Sequence, residues 1–160
     1  MHRQETVDHA DRLRSLLRGL DLLAAAFGLP VICSIHPRTV VRLREFGLAP
    51  GHPGVRFCEP FGLFDFVALE RHARGVLSDS GAVSEECAIL RVPLVTIRDT
   101  TERPETLESS SNILSGVAPD AMLRAMRVAL HDDAGWAVPP EYLRTNVSAT
   151  VARIVLGRAP

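Results

Sequence analysis

The chain has 160 residues, and 46% of them are hydrophobic, which is enough to bury the core of one domain. Its 18 basic and 19 acidic residues are interspersed and give a net charge of -1, so a nucleic-acid partner is not expected. Neither an apolar run long enough to span a membrane nor a signal peptide occurs, which predicts a cytoplasmic protein. Cys33, Cys58 and Cys87 lack C-x-x-C spacing, which predicts buried thiols and disfavours a disulfide framework or a zinc site.

The predicted elements begin with an amphipathic helix, because apolar residues recur at three- and four-residue steps from Asp8 to Phe27. Short apolar strands then follow, in PVICSIHP, VRFCEP, GVLS, PLVTI and NILSG. Helices are predicted between and after them, at about 39–46, in FDFVALERHA, AVSEECAIL and PDAMLRAMRVALHD, and from about Asn146 to Leu156.

This alternation is typical of an open, mostly parallel sheet with helices on both faces. We therefore predict a Rossmann-like α/β fold in a single domain over residues 1–160. The chain opens on the polar cluster HRQE and a helix, where a βα unit would normally supply a strand. The first strand of the sheet is therefore expected to be missing.

Three polar clusters follow predicted strands, where ligands bind in sheets of this kind. They are His36, the SDSG stretch (Ser78–Gly81) and the RDTTERPE stretch (Arg98–Glu105). SDSG precedes a helix, and it offers hydroxyls and free backbone N–H groups to a phosphate. An ordinary helix N-cap is the alternative interpretation.

Two glutamates, Glu85 and Glu86, lie in the first turns of the helix after SDSG. A carboxylate beside a phosphate loop is suited to accept two hydrogen bonds from a ribose diol. Helical geometry leaves open which of the two faces the site.

Arginines in RDTTERPE provide a second phosphate-binding candidate. Arg98 and Arg103 could each bind phosphate with two hydrogen bonds, and Asp99 and Glu102 would then orient them. The alternative is a solvated loop with internal ion pairs. The terminal cluster of His2, Arg3 and Glu5 would lie on the same rim in a complete sheet.

The motifs HRQE, SIHP, SDSGAVSEEC and RDTTERPE, in this order and spacing, resemble those of the non-hydrolysing UDP-N-acetylglucosamine 2-epimerases. The resemblance spans nearly the whole chain, but only as the C-terminal half of that family's two-domain, glycosyltransferase-B-like fold. It implies an isomerase that converts UDP-GlcNAc to UDP-ManNAc by eliminating and re-adding UDP, for cell-surface polysaccharide biosynthesis. It implies no nicotinamide, no metal and no other cofactor.

The resemblance also implies roles for individual residues. His2 corresponds to a catalytic histidine near the diphosphate, Phe66 to a residue that packs on uracil, and Glu86 to the ribose carboxylate. The residues expected to bind UDP or a UDP-N-acetylhexosamine are Arg3, Glu5, His36, Phe66, Ser80, Gly81, Glu86 and Arg103.

The sequence departs from the family pattern in three respects. Ala82 replaces a second glycine, and Thr6 replaces an asparagine, where it could cap the following helix. The family's N-terminal domain, which supplies most of the acid and base carboxylates, is not in this sequence. We therefore expect a fragment or a misassigned start, which binds nucleotide but is inactive without the missing domain or a partner chain.

Two other functions stay open. One is a non-catalytic module that binds UDP or a UDP-sugar with a separately encoded N-terminal partner. The other is the nucleotide half of a glycosyltransferase, which the RDTTERPE stretch disfavours. The last helix has an apolar stripe, expected to pack on a core or to support a homodimer, formed by Val147, Val151, Ile154 and Val155.

Overall fold

The computed structural model describes residues 3–131 and 135–157. Its helices are α1 (Gln4–Val7), α2 (Ala10–Phe27), α3 (Pro37–Glu45), α4 (Leu63–His72), α5 (Gly81–Leu90), α6 (Pro104–Glu108), α7 (Pro119–His131) and α8 (Val147–Leu156). A 3-10 turn covers Pro140–Leu143. The strands are β1 (Val31–Ser34), β2 (Val55–Cys58), β3 (Val76–Ser78), β4 (Leu94–Thr96) and β5 (Asn112–Leu114).

All strand pairs in the described chain are parallel, which confirms the predicted α/β fold. The strands are hydrogen-bonded in two groups, β1 with β2 and β3–β4–β5 with β4 in the middle. Every residue of β4 is buried, as expected for a strand covered on both faces. In the three-stranded group the carboxyl ends of β3 and β4 lie side by side, so the loops after them share one edge.

The main core forms where α2 packs on α7 and on the strands. The apolar stripe of α2 is buried as predicted, with Leu13 and Leu16 fully inaccessible. The helix ends at Gly28, whose positive φ of 63° favours glycine and whose N–H donates to the Ala24 carbonyl.

The N-terminal helix differs from the prediction. A single helix from Asp8 was expected, but α1 ends at Val7 and α2 begins at Ala10. The break frees the Asp8 carboxylate, which binds Arg38 and Arg42 on α3. The expected capping role of Thr6 is wrong, because Thr6 lies inside α1 and its buried Oγ1 has no partner among the described residues.

Three further predictions can be compared with the structure. Cys33 and Cys87 are buried as expected, while Cys58 is only partly buried. The stripe on α8 does not pack on a core in the described structure, since Val151 is 52% and Val155 65% exposed. Within the described residues, no helix combines the length and apolar character needed to cross a membrane.

Candidate functional site

The SDSG stretch connects β3 to α5. Ser80 occupies the N-cap position of α5, but its side chain makes no capping hydrogen bond. Instead the Ser80 N–H donates to Ser78 Oγ at 3.1 Å, within the loop itself. The Ser80 side chain therefore does not cap α5. The first N–H groups of a helix have no partner within the helix and are suited to donate to an anion.

Asp79, in the same loop, anchors the N-terminal segment. Its side chain is buried, and its Oδ2 accepts a hydrogen bond from the Arg3 backbone N–H at 2.9 Å. Arg3 Nε also donates to the Asp79 carbonyl at 3.2 Å, and the guanidinium lies 3.8 Å from Glu102. Arg3 therefore lies between the loops after β3 and β4. His2, the predicted catalytic residue, lies outside the described residues, and its role stays a prediction.

The RDTTERPE stretch is organised by a buried arginine. Arg98 donates to both carboxylate oxygens of Glu102, at 2.6 and 3.0 Å, and to Glu5 at 3.0 Å. These bonds hold the pKa of Glu102 at about 2, chiefly through the Arg98 hydrogen bond. Because its guanidinium is committed to protein carboxylates, the prediction that Arg98 binds phosphate is wrong. Asp99 also differs from expectation, since it pairs with Arg12 at 2.8 Å instead of orienting the loop's arginines.

Arg103 lies beside the start of α5. A Cβ placed on Gly81 would be 3.7 Å from the Arg103 Cζ, so this guanidinium borders the SDSG stretch at the start of α5. Its Nε is paired with Glu85, and another of its nitrogens donates to the Glu102 carbonyl at 3.0 Å. Helical geometry alone left open which of Glu85 and Glu86 faces the site. In the structure, Glu85 forms an ion pair with Arg103.

Phe66 and Glu86 lie where α4 packs on α5. Phe66 is half-buried against the small apolar cluster that contains Val83 and Cys87. One helical turn later, Glu70 is buried, and its pKa is raised to about 7 by burial first and by the charge of Glu86 second. Glu70 was not predicted as a site residue, since its only signal in the sequence was its four-residue spacing from Phe66.

His36 lies at the N-cap of α3, at the end of the loop that follows β1. Its Nδ1 accepts a hydrogen bond from the Arg38 N–H at 3.2 Å. Arg38 and Arg42 both bind Asp8, and the Arg42 hydrogen bond is the largest cause of the lowered pKa of Asp8. Residues 3–8 thus connect the helix that follows His36 to both polar loops.

Tyr142 and Glu105 form a further polar pair whose charges act on Arg103. The Tyr142 hydroxyl, in the 3-10 turn, donates to Glu105 on α6. Burial, with Glu105 as the next cause, raises the pKa of Tyr142. The Tyr142 hydrogen bond is the main cause of the lowered pKa of Glu105, and the charge of Arg103 makes a smaller contribution.

The described residues contain no group of three or more histidine, cysteine or acidic side chains arranged to hold a metal ion. A cavity of about 390 Å³ lies elsewhere, and its lining includes Leu107, Asn112 and Trp136 but none of the predicted site residues. The arrangement at the strand ends can hold an anion at the start of α5, with two arginines beside it and a carboxylate one turn further on.

Comparison with known proteins identifies the chain's relatives. The model of the UDP-N-acetylglucosamine 2-epimerase family matches residues 1–156. The chain belongs to this family. It is 36% identical over 98% of its length to the UDP-N-acetylglucosamine 2-epimerase of Methanococcus maripaludis, covering 43% of that protein. It is 32% identical over 81% of its length to the UDP-2,3-diacetamido-2,3-dideoxy-D-glucuronate 2-epimerase of Pseudomonas aeruginosa, covering 36% of that protein.

A solved structure shows the same fold. The Methanocaldococcus jannaschii UDP-GlcNAc 2-epimerase, in complex with UDP-GlcNAc and UDP, superposes with a TM-score of 0.89 at 37% identity. The match covers 97% of this chain and 43% of that one. The chain thus spans about two fifths of the length of the epimerases it matches, as a glycosyltransferase-B-like half.

Proposed function

We propose that this chain forms the UDP-binding part of a UDP-N-acetylglucosamine 2-epimerase. The observation that carries the proposal is the start of α5, which lacks a side-chain cap and is bordered by Arg103 and by the Arg3 segment. Backbone N–H groups and arginines in this arrangement suit a diphosphate. The bound nucleotides in the related M. jannaschii enzyme support the choice of UDP.

The remaining predicted residues complete the site. Ser80 and Gly81 bind the diphosphate, Glu86 accepts hydrogen bonds from the ribose, and Phe66 packs on the uracil. Glu5 acts through Arg98, so its role is to support the rim rather than to touch the nucleotide. His36, at the N-cap of α3, contributes to the rim of the site.

The proposed reaction inverts C2 of the sugar in two steps. A base removes the C2 proton, the C1–O bond breaks, and UDP leaves as an anion, which gives a glycal. UDP then adds back to C1 while C2 receives a proton on the opposite face. The N–H groups of α5, with Arg3 and Arg103, stabilise the negative charge that develops on the leaving diphosphate.

Proton transfer at C2 needs groups on both faces of the sugar. His2 is the candidate in this chain, and we place the other acid and base groups in the part of the relatives that lies beyond the match. A chain that contains only these 160 residues should therefore bind UDP and catalyse little or no epimerisation. Measurable conversion of UDP-GlcNAc by the purified chain would contradict this.

The binding test is a calorimetric titration of the purified chain with UDP, UMP and inorganic phosphate. We expect saturable binding that prefers UDP and is lost in Glu86→Ala. The matched control is Glu108→Ala, which removes an exposed glutamate on α6 and should leave the affinity unchanged. Failure of the folded wild-type chain to bind UDP would overturn the proposal.

The exposed stripe on α8 supports a partner for the chain. Val147, Val151, Ile154 and Val155 are each more than half exposed on one short helix. An apolar surface of this kind is typically covered by another domain or protein. We propose that the epimerase N-terminal domain, in the same or a separate chain, covers it, with a homodimer as the alternative. The cytoplasm is the proposed location.

A further inference from the structure

Glu70 has a buried carboxylate without hydrogen-bond partners among the described residues. Its side chain lies near the end of α4 and is only 4% exposed. Neither carboxylate oxygen has a hydrogen-bond partner among the described residues. Burial without a partner penalises the ionised form, because the charge loses its solvating water.

The surroundings of Glu70 are the two helices that carry the nucleoside end of the proposed site. Phe66 lies one turn earlier on the same face of α4 and packs against the apolar cluster that contains Cys87 of α5. Glu86 follows on α5, close enough for its charge to act on Glu70. Burial, and after it the charges of Glu70 and Glu86, raises the pKa of the Cys87 thiol. The three groups therefore form one cluster between the helices.

We propose that Glu70 is a positioning residue for the nucleoside end of the site. In its neutral form it lets α4 pack on α5 with Phe66 and Glu86 in place, and in its ionised form it repels Glu86 and disturbs both. The inference rests on the proposed function, because Phe66 and Glu86 are the residues proposed to contact uridine.

The charges around Glu70 give the direction of the pH effect. Burial and Glu86 both raise its pKa, to about 7, and no described cation is among the causes that act on it. Arg71 and His72, its neighbours on α4, are exposed to solvent. Burial keeps the Cys87 thiol neutral by raising its pKa. UDP binding should favour the neutral form of Glu70. The affinity for UDP should therefore fall as the pH rises through about 7, where Glu70 ionises.

The test compares UDP titrations of the wild type, Glu70→Gln and Glu108→Gln at several pH values. The ratio of wild-type to variant Kd cancels the ionisation of UDP and of the histidines, which all three proteins share. For Glu70→Gln we expect this ratio to rise about three- to tenfold between about pH 6 and about pH 8.5, since one pKa unit corresponds to a factor of ten. For the exposed Glu108→Gln the ratio should stay constant.

A second readout does not depend on UDP. The folded pKa of Glu70 lies above the unfolded value of about 4.5, so the folded chain binds more protons between about pH 4.5 and about pH 7. As the pH rises from about 4.5 to about 7, the free energy of unfolding of the wild type should therefore fall relative to that of Glu70→Gln. If Glu70→Gln does not fold, Glu70→Met has a similar volume without charge and should behave in the same way.

The outcomes separate the two proposals. Parallel pH profiles for UDP binding in wild type and Glu70→Gln overturn the role of Glu70 and leave the proposed function standing. Equal pH dependence of unfolding in the two proteins also overturns the role of Glu70. If the folded wild type binds no UDP at any pH, the proposed function falls and this inference falls with it.

Discussion

Glu85 and Glu86 are neighbours in sequence with different partners. Glu85 pairs with Arg103 and holds that guanidinium beside Gly81, while Glu86 acts on Glu70 at the boundary between α4 and α5. Two carboxylates in the first turns of a helix would repel a phosphate at its start. The pairing of Glu85 with an arginine offsets one of those charges, and Glu86 is the carboxylate that we propose for the ribose.

Substitution of Gly81 tests whether the phosphate binds at the start of α5. A methyl group there would meet Arg103 atoms only at ordinary contact distances, from 3.7 Å, and the position does not need a positive φ. Gly81→Ala should therefore change the free energy of unfolding by no more than about 1 kcal/mol. UDP affinity should fall at least about tenfold, because the methyl group would lie where the phosphate approaches the N–H groups.

Denaturant unfolding and UDP titration of Gly81→Ala together check this prediction. Ala152→Ser, at an exposed position on α8 away from the proposed site, is the matched control for a change of similar size. Unchanged UDP affinity in a stable Gly81→Ala chain would place the diphosphate elsewhere.

At the scale of elements, residues 3–8 hold the site together. This segment ties Arg3 to the loop after β3, Glu5 to the buried Arg98 of the loop after β4, and Asp8 to α3. None of these contacts is local, so none could be seen in the pattern of a single helix. The charges of the RDTTERPE stretch were interpreted as a phosphate-binding signal. Two of them belong instead to the internal Arg98–Glu102 ion pair.

Acid should weaken this arrangement in a defined window. The folded pKa of Glu102 is about 2, below the unfolded value of about 4.5, so the unfolded chain binds more protons between these values. The stabilisation from the Arg98–Glu102 pair should be present above about pH 4.5 and be lost as the pH falls towards 2. Chemical denaturation of wild type and Glu102→Gln from about pH 6 to about pH 3 checks this. If both lose stability equally, the pair does not contribute.

At the scale of the whole molecule, local pattern predicted the fold well. Apolar runs and helical periodicity predicted the five strands and six of the eight helices found in residues 3–131 and 135–157, because each of these elements has its own local signal. Pro104 was an unused signal for α6, since proline suits the first turn of a helix. The motifs indicated which loops carry the site, but the burial of Arg98 and Glu70 depends on how distant elements pack. The apolar stripe of α8 predicts that another surface covers it but does not identify that surface.

The exposed stripe of α8 gives a prediction for the isolated chain. Replacing both Val151 and Ile154 with serine should alter the free energy of unfolding by only about 0.5 kcal/mol, because both are more than half exposed. Self-association, measured by light scattering, should decrease. The contrasting control is Leu16→Ala in the core, which should cost about 2–5 kcal/mol. A large loss of stability from the double substitution would show that the stripe is packed in solution.

The most direct test of the proposed UDP site is to follow backbone amide resonances of the chain by NMR during a UDP titration. We predict that the largest shifts occur at the N–H groups of Gly81, Ala82 and Val83, which begin α5, with smaller shifts at Arg103. Inorganic phosphate should shift the same three amides more weakly. Shifts centred instead on Asn112 and Trp136, at the cavity away from the strand ends, would contradict the proposed site.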